Sequence, residues 1–344
     1  MQILLIVIGV LFLGVVGYFC LFYPQQSVRF RDIREVPVTT PEPEKYHNDV
    51  LHPCIRRMSD GRYVMVQSPW YKCKNDVENP ILYISDDPMH WDNGIVVENT
   101  PERGYNSDPN VYEENGRIYV FWREVETRLC LKLGAFSAIV GVYTDDEGKS
   151  FSEKQVFVTN SDAQVETIIC PILVKHEGKY RFYASWYRIV ESDRRNLGLS
   201  IWEGTNLENP DFCLAKQVPL RSKYICDKYK QLAVFGHIFF IPVPHKLDLW
   251  HFDLMEKDGK LYMFASEEMG DVEMMAVSKD WEHFDMKRKP LLNAHRMENH
   301  VGYRQNYYKP TALVREDGKI QFFYTATRSR NSYTYGLNTI TLEA

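Results

Sequence analysis

The chain carries no surplus of positive charge. Its 41 Lys and Arg stand against 46 Asp and Glu, for a net charge of −5. That balance gives no global electrostatic case for nucleic acid, and none is expected as a partner. Close-spaced metal-ligand motifs are also missing, because the 7 cysteines are dispersed. Cys20 falls in the apolar N-terminal run. Cys54, Cys73, Cys130, Cys170, Cys213 and Cys226 remain, a set that permits disulfides and equally suits reduced thiols. The N-terminus lacks the parts of a cleaved signal peptide. Met1-Gln2 supplies no basic side chain, and no small-x-small site stands near Gly17-Tyr18-Phe19-Cys20. Bulky Phe19 before Cys20 argues against a lipoprotein site.

What the N-terminus does have is an uncharged run, Ile3–Tyr23. Such a run can cross a ~30 Å hydrocarbon core as a helix. We therefore expect a single transmembrane anchor over residues 1–24, so that the membrane itself is a partner. Pro37, Pro41 and Pro43 then mark residues 25–46 as an extended linker. Arg29, Arg31 and Arg34 lean towards a cytoplasmic domain, but Asp32 and Glu35 partly offset them. The side of the membrane stays open.

The remainder is organised by one recurring pattern. Asn106–Trp122 reads as a strand, a tight turn at Asn115-Gly116 and a returning strand. Equivalent turns stand at Asp60-Gly61, Glu177-Gly178, Asp258-Gly259 and Asp317-Gly318, each followed by a β-rich run. Each copy continues into a third strand and a turn towards a fourth. Five small antiparallel sheets in sequence predict an all-β, five-bladed β-propeller over residues 47–344. Thr144–Phe151 fits an Asp-box turn of hydroxyl, Asp, Gly and aromatic, which we read as structural.

Aligning the copies on their turn glycines puts His52, Asp108, Cys170, His251 and Lys309 at equivalent positions, where the first strand of each blade meets the axis. Polar residues converging on a central opening suit a binding site. Arg123, Glu124 and Trp186 are read as lying in the loops between second and third strands, and Arg304 in the long loop before blade five. Aromatic faces beside Arg and carboxylates are what a polyhydroxylated ligand needs.

At these residues the chain resembles the five-bladed propellers of the glycoside hydrolase clan that includes families 32, 43, 68 and 130. Asp108-Pro109 is similar to the clan's blade-two Asp-Pro motif, and Cys170-Pro171 to a blade-three Glu-Cys-Pro motif. Two of three catalytic positions depart from the pattern: Ile169 stands where the acid Glu belongs, and His52-Pro53 where blade one carries Asp-Pro. Hydrolysis needs one protonated and one ionised carboxyl across the scissile bond. Neighbouring carboxyls therefore become the candidates, with Glu166 as acid, Asp49 as base or nucleophile and Asp108 as modulator. His52, Arg123, Glu124, Trp186, His251, Asp253, Arg304 and Lys309 would hold substrate. The resemblance implies no cofactor. His52, Asp108, Cys170 and His251 are residue types that ligate zinc, but without a close-spaced motif no metal is expected. The reading is a glycosidase-like propeller acting on an envelope or extracellular glycan. Its rival is a propeller that binds polysaccharide without cleaving it.

Overall fold

The structure, a computed structural model, describes Gly9 and residues 33–342 except 103, 127–135, 160–164, 191–192, 219–225, 235–236, 246–248, 268–271, 287–289, 294–306 and 329–333. The expected anchor, residues 1–24, therefore lies outside the described residues apart from Gly9. No helix among the described residues is long and apolar enough to cross a membrane.

Five antiparallel sheets form the propeller. Each is built from an inner strand outwards in chain order. Blade one is β2 (Cys54–Arg57), β3 (Tyr63–Gln67), β4 (Ile81–Ser85) and β5 (Ile95–Val96). Blade two is β6 (Gly104–Glu114), β7 (Arg117–Glu126), β8 (Phe136–Thr144) and β9 (Gln155–Thr159). Blade three is β10 (Val165–His176), β11 (Lys179–Val190), β12 (Asp193–Gly204) and β13 (Cys213–Val218). A separate hairpin, β14 (Cys226–Val234) with β15 (His237–His245), intervenes before blade four. Blade four is β16 (Leu249–Lys257), β17 (Lys260–Glu267), β18 (Val272–Ser278) and β19 (Asp285–Met286), with β20 (Leu292–Asn293) also on β18. Blade five takes β21 (Thr311–Val314), β22 (Ile320–Thr327) and β23 (Tyr335–Leu342) from the end of the chain.

Its fourth strand comes from the start of the chain. β1 (Arg34–Val36) pairs antiparallel with β23, setting Arg34 against Thr339 and Val36 against Leu337. Of the expected linker over residues 25–46, residues 25–32 lie outside the described residues and residues 33–46 pack onto the propeller instead of forming an extended spacer. Val36 and Val38 are buried, a one-turn helix α1 (Pro43–Tyr46) buries Tyr46, and Val38 bridges to Trp91 of blade one. The prolines mark a segment that turns repeatedly while staying packed. The apolar residues between them, which a linker does not need, carried the contrary signal.

The hairpin turns form for the reason the dipeptides indicated. Asn115-Gly116, Glu177-Gly178 and Asp258-Gly259 all have positive φ at both residues, as a two-residue turn matched to strand twist requires. Their registers close directly across them, as in Glu114 with Arg117. Asp60-Gly61 and Asp317-Gly318 sit in wider loops, closed by Met58 N to Arg62 O and Arg315 N to Lys319 O.

Apolar side chains fill the five layers between neighbouring blades. Trp122, Val120 and Val66 lie between blades one and two, Phe121 and Phe182 between two and three, and Phe252 and Met263 between three and four. Phe264 and Phe322 join four to five. Val36, Phe323 and Met65 join five to one. The Asp-box turn is structural as read. Asp146 accepts from Ser150 N and from the Thr144 hydroxyl, and Phe151 packs against the first layer.

Val36 is 2% exposed in the layer that closes the ring. Val36→Ala should lower stability by about 2 kcal/mol. In urea unfolding, Leu214→Ala at an exposed position (52%) should stay within about 0.5 kcal/mol of the wild type.

Candidate functional site at the propeller axis

Local backbone geometry aims the axial residues. In β6 the pairing with β7 slips between Ser107 and Asn110, and in β10 the pairing with β11 slips between Ile169 and Ile172. The bulged residues, Asp108 and Cys170, have φ of 52° and 55°. Both precede proline in a left-handed conformation that side chains and a following Pro disfavour, so packing around them must hold them there. A bulge lets an inner strand turn one side chain into the axis instead of an inter-blade layer.

Asp108 is fully buried at the centre. His251 Nε2 stands 2.7 Å from its Oδ1, His52 Nε2 is 3.6 Å from the same oxygen, and Arg123 Nε is 3.2 Å from Oδ2. None of these contacts has hydrogen-bond alignment. Both Asp108 oxygens and His52 Nε2 lack an aligned partner. Burial alone would raise the Asp108 carboxyl, but Arg123 and the two histidines outweigh it and hold it well below the usual range. Burial drives both imidazoles the other way, His52 well below its ordinary value and His251 below, against the pull of Asp108. Arg123 and Asp108 thus form the charged heart of the centre, with both imidazoles pressed towards their neutral form.

The surroundings are equally specific. Lys309 Nζ donates to Pro109 O at 2.6 Å, tying blade five to the bulge of blade two. Tyr308 lies over both rings, with centroids 5.2 Å from His52 and 4.5 Å from His251. Trp250 Nε1 donates to the Tyr308 hydroxyl at 3.3 Å, and Tyr105 lies beneath the Arg123 guanidinium at 5.4 Å. Tyr105, Trp250 and Tyr308 are half-buried, so they present aromatic surface at the rim.

The structure thus brings together His52, Asp108, Arg123, His251 and Lys309. Others take different places. Cys170 reaches the ring, but its Sγ donates to Phe252 O at 2.9 Å and accepts from Phe252 N, so it stitches blade three to blade four. Asp253 is held by Arg56 at 2.6 and 2.7 Å and by the Thr311 hydroxyl at 2.6 Å, a buried clamp between blades four, one and five. Asp49 is buried, and its two oxygens accept Trp70 N at 2.6 Å and Tyr335 N at 2.5 Å. That carboxyl, raised by burial to about 7, caps backbone from blades one and five. Glu124 alternates with Arg123 along β7 and so points to the opposite side of the sheet, where Lys154 pairs with it at 2.6 Å. Glu166 and Trp186 belong to β10 and β11, but their side chains, and all of Arg304, lie outside the described residues.

Glu78 escaped the sequence reading. It is buried 3.5 Å from His52 Nδ1, and burial pushes its carboxyl up to about 8. Ser68, whose Oγ is 2.8 Å from His52 Nδ1, escaped as well. Both lie away from the aligned turns, in the segment between the second and third strands of blade one. Only the neighbouring aromatic pair Trp70-Tyr71 could have pointed there. One group among the described residues has metal-ligating spacing: ligand atoms of His52, Asp108 and His251 all lie within 4.8 Å of one another.

No protein-family model matches the sequence, and no curated protein matches it. Solved structures do match. The xylan β-1,4-xylosidase from Bacillus halodurans C-125 aligns with a TM-score of 0.62 at 13% identity, over 86% of this chain and 53% of that one. This chain therefore spans about half the length of that enzyme. RS223-β-xylosidase aligns with a TM-score of 0.57 at 14% identity, over 91% of this chain and 96% of that one. The α-L-arabinofuranosidase from Lactobacillus brevis gives 0.57 at 10% identity, over 86% and 90%. At these identities the likeness establishes the fold, a five-bladed propeller shared with glycoside hydrolases.

Glu78 supplies a test of the electrostatics. A carboxyl raised to about 8 in the folded state binds more protons than the unfolded chain from about pH 4.5 upwards. Its contribution is therefore fully present below that pH and is lost as pH rises through about 8. Glu78→Gln should flatten the decline. Urea unfolding at about pH 5 and about pH 9 should show the variant gaining on the wild type at the higher pH.

Proposed function

We propose that this protein is a membrane-anchored, carbohydrate-active propeller, glycosidase-like, that acts on an envelope or extracellular glycan through the axial opening around Asp108. The observation that carries this reading is the state of Asp108: a buried, ionised carboxylate without an aligned hydrogen-bond partner, beside partly exposed aromatic rings. Sugar C–H faces stack on such rings. A fixed negative charge beside them stabilises the positive charge that builds at an anomeric carbon as a glycosidic bond breaks. Glu78, kept protonated at neutral pH, provides a neutral second carboxyl on the far side of His52. The fold is one on which xylosidases and arabinofuranosidases are built. The uncharged run Ile3–Tyr23 supports the anchor.

Asp108 then acts as modulator, and Glu166 stays the candidate acid. The base role does not suit Asp49, whose oxygens are both committed to backbone amides. That commitment favours a second reading, a propeller that binds polysaccharide without cleaving it. His52 and Ile169, at positions where the resemblance calls for carboxyls, favour it too.

The purified chain should release sugar from a panel of polysaccharides and aryl glycosides. Asp108→Asn should cut that release by roughly a hundredfold or more while the circular dichroism stays unchanged. Retention of the protein on a polysaccharide gel without any release would establish the non-cleaving reading. Neither release nor retention across the panel would remove the carbohydrate reading.

A further inference from the structure

The contacts at the centre of the ring are unusual for groups that bond only to one another. His251 Nε2 and Asp108 Oδ1 are 2.7 Å apart, yet no hydrogen bond lies along that line. His52 Nε2 approaches the same oxygen and is also without an aligned partner. These atoms are buried, where an unpaired polar atom is costly. Several such atoms meeting at one point imply something that satisfies them together.

The tautomer of His52 indicates what that is. Its Nδ1 has the Ser68 hydroxyl oxygen at 2.8 Å and Glu78 Oε1 at 3.5 Å. Both oxygens can accept from an Nδ1 proton, and that tautomer frees Nε2. Nε2 is then a lone pair facing a carboxylate, an arrangement that repels unless a cation sits between. A histidine whose remote nitrogen is fixed by a hydroxyl and a carboxyl is oriented as a metal ligand is.

We propose that His52 Nε2, Asp108 Oδ1 and His251 Nε2 bind a divalent transition-metal ion of the zinc class. Two imidazoles and one carboxylate suit that class. Calcium and magnesium, which take six or more ligands, mostly oxygen, are poorly served by a single carboxylate. The three ligands come from blades one, two and four, so the site forms only when the ring is closed. Arg123 stays on Oδ2 and leaves Oδ1 to the ion. Cys170 does not join, because its Sγ is engaged with Phe252. Arg123 and Lys309 are nearby cations that oppose a second one, so the site should bind more weakly than one without them.

The inference shares Asp108 with the glycan reading, but its test contains no sugar, so the two can fail separately. The chain, stripped with a chelator and dialysed, is titrated with Zn²⁺ by calorimetry and with Co²⁺ by visible absorption. One ion per chain is expected, with a Co²⁺ spectrum of low-symmetry nitrogen and oxygen coordination. His52→Gln and His251→Gln should each weaken uptake at least about tenfold, and Ser68→Ala about 10- to 100-fold. X-ray absorption of the zinc-loaded wild type should show scattering from two imidazoles, and this holds the test open if a histidine variant fails to fold. No saturable uptake up to about 0.1 mM zinc, sulfur in place of imidazole scattering, or unchanged uptake in both folded histidine variants would each overturn the proposal.

Discussion

Ring closure is the constraint on which everything else rests. A propeller blade is hydrophobic on both faces, so each sheet needs two neighbours. Five blades supply five layers only if the last meets the first. Here that meeting is held by hydrogen bonds between distant parts of the chain: β23 and β1 lie side by side in one sheet, and Val36, Val38 and Tyr46 fill the layer beside blade one. Asp49 reinforces the seam, taking one backbone amide from each side. Its carboxyl is placed to hold two chain segments together, and this explains a buried acidic group far better than reactivity does.

The axis inherits its character from that closure. Inner strands converge, and their first residues cannot all be apolar without leaving backbone groups unpaired. The solution is a set of cross-blade polar links: Cys170 to Phe252, Asp253 to Arg56 and Thr311, and Lys309 to Pro109. Within this frame Asp108 is the exception. Its charge is stabilised chiefly by Arg123 and His251, and neither of its oxygens has a partner in good alignment. A group held by a field and left without directed partners is available to something that arrives from outside, whether a sugar or an ion.

Much of this was legible in the chain. Two-residue turns with positive φ demand particular dipeptides, so the repeated turn residues revealed the blades. Counting back from them found His52, Asp108 and His251, because strand length fixes where an inner strand meets the axis. Other features were hidden for physical reasons. Asp49, Asp253 and Glu124 are acidic residues near the right places, but backbone amides, Arg56 and Lys154 engage them, and one-dimensional proximity carries no such partner information. Glu78 and Ser68 sit on a segment whose path no repeat specifies. The first strand was concealed because its partner lies at the opposite end of the chain.

That last feature governs how the molecule is made. β1 is among the first parts of the propeller to be synthesised and β23 is the last. Their pairing, Arg34 with Thr339, joins residues far apart in sequence. Contacts so distant pay their loop-closure entropy before any reward, and they form late. During synthesis, the early blades can stack in order while β1 waits with its pairing edge unsatisfied. Completion of the seam is thus a checkpoint on chain length. A chain that stops before Tyr335 could stack blades one to four but could never finish the circle.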